Sequence, residues 1–105
     1  MAQQENPHPP AGGQNKQIQV KMDDATLRGV YSNMMQVAHT PEEFVLDFMN
    51  IVGGAGIVAS RVMVSPAHMK RIVAALQDNV SKYESQFGKI EAGAAPASHV
   101  GFRTE

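Results

Sequence analysis

The chain has 105 residues, room for one domain, and its 9 Lys and Arg nearly balance its 10 Asp and Glu to give a formal net charge of -1. No global field therefore steers it onto phosphate backbones or anionic lipid, and without cysteine it has no disulfide, thiolate metal ligand or thiol nucleophile. Neither a signal-peptide pattern nor an apolar run of the roughly 18 residues a span requires is visible, so no membrane is expected and the cytoplasm is the expected location.

Residues 1–15 are Gln, Asn, Pro and Gly without apolar periodicity, a composition that cannot offset its own ordering entropy, and a disordered tail is expected there. Residues 91–105, Ala/Gly/Ser with Pro96, read as a flexible C-terminal tail. Between them lies a single α+β domain over 16–90. A chain of about 75 residues buries only about 60% of its unfolded surface and is marginal alone.

In residues 16–22, Ile18, Val20 and Met22 alternate with polar neighbours, which predicts a strand. Asp23, Asp24, Thr26 and Gly29 supply turn chemistry, and a second strand is expected over 30–39. Thr40-Pro41-Glu42-Glu43 has the form of a helix capping box and equally of a turn between strands. Residues 44–52 share that ambiguity. As a strand, Phe44, Leu46 and Phe48 face one way and Val45, Asp47 and Met49 the other; as a helix, Phe44, Phe48, Ile51 and Val52 align. The strand is favoured, because Phe and Val pack well on a pleated surface.

Gly53-Gly54-Ala55-Gly56 predicts a flexible turn, since three glycines in four positions are costly inside a regular element. A strand over 57–64 follows, with Val58, Val62 and Val64 on one face and Ile57, Ala59 and Met63 on the other. Ser65-Pro66 then opens a long helix: serine caps free amides and proline has none to waste at the first position. Met69, Val73, Leu76, Val80, Tyr83 and Phe87 form its stripe, Ile72 widens it, and Gly88 supplies the stop.

These elements predict an antiparallel sheet of about four strands followed by one long C-terminal helix. The later strands carry apolar residues on both faces, whereas one helix can cover one face only. A wet second face would be an exposed patch of several hundred Å², a size associated with interaction sites. A homo-oligomer follows, a dimer or a dimer of dimers, with Met35, Val45, Met49, Ile57, Met63, Val80, Tyr83 and Phe87 as candidate interface residues. Asp47, a carboxylate within an apolar stretch, is expected to pair with Arg61 on a neighbouring strand.

No catalytic site, cofactor site or metal site is expected. His39 with Glu42 and Glu43 could supply donors, but the chain offers no second cluster to complete a coordination sphere, and His68, in the first helical turn, reads as a surface residue. The serines lack a nucleophile elbow or a base partner. The glycine loop lacks the Lys-Ser/Thr of a phosphate loop. Six methionines, Met22, Met34, Met35, Met49, Met63 and Met69, fall in ordered elements; pliable thioethers suit cores, subunit contacts or surfaces that accept many partners.

Tyr31-Ser32-Asn33, Val37, the run from Thr40 through Phe48, Arg61-Val62, Ser65-Pro66, Leu76, Asn79, Tyr83-Glu84 and Phe87-Gly88 together resemble a family of short prokaryotic proteins known as a domain of unknown function. That resemblance covers nearly the whole ordered segment, supports the strand over 44–52, and carries no functional residue. At the level of element order the chain is also similar to SecB-type export chaperones, whose subunits pair antiparallel strands with a long C-terminal helix. The functional expectation is a non-enzymatic homo-oligomeric binding module for protein or peptide, chaperone-like in kind. Its alternative is a single-stranded nucleic-acid binder using the open sheet, which salt-sensitive oligonucleotide binding would reveal.

Overall fold

The computed structural model describes residues 17–103; the tail expected over 1–15, and Lys16, lie outside them. In chain order the elements are α1 (Asp24–Arg28), β1 (Met34–His39), β2 (Phe44–Val52), β3 (Ala55–Val64) and α2 (Pro66–Phe87). The three strands form one antiparallel sheet in the order β1-β2-β3, and the fold is α+β. The strand count is three against the four or so expected from sequence.

The missing strand is the one predicted over 16–22. Residues 17–22 are not in a strand, and Ile18, Val20 and Met22 are 81, 83 and 61% exposed. Alternation gives a segment a face to bury, but a strand exists only when an edge accepts its backbone groups. The turn chemistry that follows makes a short helix, because Asp23 accepts the Thr26 N–H at 2.8 Å as an N-cap and Gly29, at φ 76, ends it.

The strand predicted from residue 30 begins only at Met34; upstream of it the Asn33 N–H still donates to the Met49 carbonyl at 3.0 Å, and side chains make the other contacts to β2. Asn33 Nδ2 donates to the Ile51 carbonyl and Asn33 Oδ1 accepts the Ile51 N–H, both at 2.9 Å. Ser32 Oγ lies 3.0 Å from the carbonyls of both Met34 and Met49, and its one hydrogen can serve either. Ser32 and Asn33 thus fasten the start of β1 to β2.

Thr40-Pro41-Glu42-Glu43 is a hairpin turn. Thr40 Oγ1 accepts the N–H groups of Glu42 and Glu43 at 3.2 and 3.3 Å, and the Thr40 N–H donates to the Glu43 carbonyl at 2.9 Å. Phe44–Val52 is therefore a strand, central in the sheet. The next turn is confined to Gly53 and Gly54, with Gly53 at φ 64; Ala55 and Gly56 already belong to β3. Gly56 faces Ile51 so closely that a Cβ there would meet Ile51 Cγ1 at 2.9 Å and the Asn50 carbonyl oxygen at 3.3 Å, and only glycine fits.

A β-bulge corrects the faces expected of β3. Phe48 pairs with Ser60 and Met49 with Val58, so Ala59 is the extra residue and the alternation inverts beyond it. Val58 consequently shares a face with Met63, and Ile57 with Val62 and Val64.

Helix α2 forms as its capping residues predict: Ser65 accepts the His68 N–H at 3.1 Å, Pro66 opens the first turn, and Gly88 at φ 101 donates its N–H to the Glu84 carbonyl. Contrary to expectation it covers neither face of the sheet. None of its residues is buried, and the packing between elements is carried by the two strand pairs. The radius of gyration is 18.3 Å, against about 13 Å for a compact chain of 100 residues.

Candidate functional site

The pairing register sorts the sheet into two chemically different faces. On the first, three cross-strand rows stack: Met35, Phe48 and Ser60; Val37, Leu46 and Val62; His39, Phe44 and Val64. Leu46, at the centre, is 5% exposed, sheltered by its neighbours on three strands; Val37 and Val62, flanking it, are each 42% exposed. This face is apolar except at its margins. His39, once considered with Glu42 and Glu43 as a donor, lays its ring against Phe44 with centroids 5.4 Å apart, and among the described residues no group of three His, Asp or Glu side chains is placed to hold a metal ion.

The second face has apolar rows at its ends, Met34, Met49 and Val58 at one and Ala38, Val45 and Met63 at the other, divided by the polar row Gln36, Asp47 and Arg61. Arg61 grips Asp47 with a two-pronged contact, Nε to Oδ1 at 2.7 Å and Nη2 to Oδ2 at 3.0 Å. The pair expected from sequence is thus present, directly across β2 and β3. Near the Gly53-Gly54 turn this face meets the returning C-terminal segment: Met49, Ile51 and Val58 line an open hollow with Pro96, Val100 and Phe102.

Asp47 is only 4% exposed, yet Arg61 is 57% exposed at its side chain. Hydrogen bonding from Arg61 holds the Asp47 carboxyl below its ordinary 3.8; burial opposes this, and charge attraction to Arg61 adds a smaller lowering. A carboxylate whose folded pKa is depressed stabilises the fold above the unfolded value, and that contribution is lost as pH falls from 3.8 through the folded value. Asp47→Asn is therefore expected to be less stable than the parent at pH 7, by a small step because the guanidinium is exposed to screening solvent. The gap should close in urea titrations run well below pH 3.8; an unchanged gap would show that the ion pair contributes nothing.

The candidate interface residues do not converge on one surface. Met35 and Ile57 lie on the first face, and Val45, Met49 and Met63 on the second. Met49 is 3% exposed, already enclosed within its own chain. Val80, Tyr83 and Phe87 stand on the uncovered stripe of α2, with the rings of Tyr83 and Phe87 tilted against each other, centroids 5.0 Å apart. Missing from that set were Val37, Leu46 and Val62, the centre of the apolar face; the register that joins them is not encoded in any one strand.

Such a chain is an α+β protein with a three-stranded antiparallel sheet, a long C-terminal helix and most of its large apolar side chains facing outward. Among the described residues no helix is long and apolar enough to cross a membrane. The chain belongs to the family described as a protein of unknown function (DUF3467), whose model matches residues 1–92. No curated protein and no solved structure matches it, so the likeness to SecB-type chaperones rests on element order alone.

Proposed function

We propose that the chain is a non-enzymatic, self-associating binding module whose sheet receives extended apolar polypeptide, in the manner of a holding chaperone. The observation that carries this reading is the scarcity of interior: Leu46 and Met49 are the only buried hydrophobic residues among those described, while Val37, Val62, Ile57 and the α2 stripe from Val73 to Phe87 are exposed. The accessible surface is 8994 Å², against about 5,700 Å² for a compact monomer of 11.3 kDa. A second copy supplies the missing cover. The uninterrupted apolar face around Leu46 is the natural contact, because the other face carries the Asp47–Arg61 row and is bordered by its own C-terminal segment.

Polypeptide is the ligand class that suits what remains open. Among the described residues β1 and β3 are the two edges of the sheet, which an added strand can extend. Residues 18–22 of the chain itself have the form such edges accept, with exposed Ile18, Val20 and Met22 alternating with Gln19 and Lys21 outside any strand. The test is anisotropy of a labelled peptide with alternating apolar and neutral polar residues. Saturable binding that persists unchanged from low to physiological salt is expected. Absence of peptide binding, or salt-sensitive binding of an oligonucleotide in its place, would defeat the proposal.

A further inference from the structure

The stripe on α2 has features that select one occupant. Met69, Val73, Leu76, Val80, Tyr83 and Phe87 recur at intervals of four and three, the 3.5-residue average that keeps a narrow seam on one side of a helix. Ile72 widens the seam in the first turns, and the same flank continues with polar Asn79 and Gln86. From Val73 to Phe87 the seam residues are 47 to 66% exposed, and Val73, Leu76 and Val80 with Gln77 and Glu84 border a shallow hollow on the helix surface. The one ion pair within α2, Lys82 Nζ to Asp78 Oδ2 at 3.0 Å, lies on the opposite side.

The flanks of the seam are self-complementary. Lys70, Gln77 and Glu84 follow one another at seven-residue intervals along one flank, with opposite charges at its two ends and a neutral residue midway. Among the described residues Lys70 has no carboxylate partner, and Glu84 is engaged only through Oε2, which accepts the Ile90 N–H at 2.9 Å.

Resting on the self-association proposed above, we infer that α2 of a second copy occupies this seam, antiparallel, about a two-fold axis level with Asp78. In that register Met69 packs against the partner's Phe87, Val73 against the partner's Tyr83 and Leu76 against the partner's Val80. Each aromatic ring meets a smaller or more pliable side chain. Lys70 lies beside the partner's Glu84, twice by symmetry, as flanking positions do in antiparallel pairs. A parallel pair would stack Tyr83 and Phe87 on their own copies and align the helix dipoles. It would also leave Lys70 and Glu84, fourteen residues apart in sequence, about 21 Å from each other.

The test is a charge-swap cycle on the full chain, with dissociation followed by sedimentation. Lys70→Glu and Glu84→Lys each place two like-charge contacts in the dimer and should weaken it roughly tenfold at low salt, and less at high salt. The double variant should return to within about twofold of the parent, because both contacts are restored with their signs exchanged. Losses that simply add would overturn the pairing. Glu84→Lys also removes the acceptor for Ile90, so a second measurement is needed that is indifferent to it. Gln77→Cys, next to the axis, should be joined to its own copy by a short bis-maleimide, whereas Lys70→Cys should not. Equal cross-linking of the two, in a protein that still sediments as an oligomer, would overturn the helix pairing and leave self-association standing. A monomer at every concentration would overturn both.

Discussion

Val62→Asp is expected to break the contact made through the apolar sheet face, leaving only copies joined through α2, while Met63→Asp, one residue along the same strand, leaves that contact intact. The two side chains stand on opposite faces of β3, and the faces differ in what they can offer a carboxylate. Val62 sits in the row Val37, Leu46 and Val62, with phenylalanines and valine in the neighbouring rows and no Lys or Arg on that face. If a second copy covers this row, an unpaired charge there costs about 3–5 kcal/mol, or roughly 10²- to 10³-fold in the dissociation constant. Met63 is 56% exposed and shares its face with Arg61, so a carboxylate there keeps water and gains a nearby positive charge. Light scattering of the two variants at equal concentration reads the difference. If Met63→Asp dissociates and Val62→Asp does not, the contact lies on the face of the ion pair and the assignment of faces is reversed.

How far the sequence led depended on the range of the interactions involved. Helix α2 was legible to the residue at both ends, because Ser65, Pro66 and Gly88 act on amides and carbonyls within a turn of themselves. The Asp47–Arg61 pair was also legible: a carboxylate in an apolar strand needs a cation, and few stand in strands. Features set between strands were not. The pattern of Ile18, Val20 and Met22 is a sound strand pattern that joins neither edge of its own sheet. Ala59 is unremarkable in sequence, yet as the bulged residue it moves Val58 and Ile57 to faces opposite those simple alternation assigns them. That inversion also sets Ile57 apart from Met63, while the register of β1 on β2 separately sets Met35 apart from Val45 and Met49.

The uncovered helix has a physical logic that alternation alone could not reveal. A 3.5-residue seam was visible in the sequence, but its reading as cover for the sheet assumed that a chain must shelter its own faces. The self-association proposed above would remove that assumption. A sheet with one uninterrupted apolar face and a helix with one narrow seam are then two halves of separate contacts, each completed by an identical surface. Two different two-fold contacts on one chain generate a dimer of dimers when their axes intersect, which connects the sheet face and the helix seam to the higher of the two assembly states expected from sequence.

Thermal stability should consequently depend on protein concentration. In a chain whose described interior amounts to Leu46, Met49 and the paired Asp47, apolar burial within one copy is far too small to balance the entropy of ordering the backbone. Folding and association are then one equilibrium. For a dimer each tenfold dilution removes about 1.4 kcal/mol from the stability of the folded assembly. With a cooperative unit of two chains, near 150 ordered residues, that corresponds to a fall of about 3–6 °C in the unfolding midpoint per decade. Calorimetry or circular dichroism between 1 and 100 µM should therefore register a shift of roughly 6–11 °C, accompanied by loss of the helical signal along with the sheet. A midpoint that stays fixed across that range, with the mass of a single chain by light scattering, would mean that one copy is stable with its apolar face in water, and self-association would lose its cause.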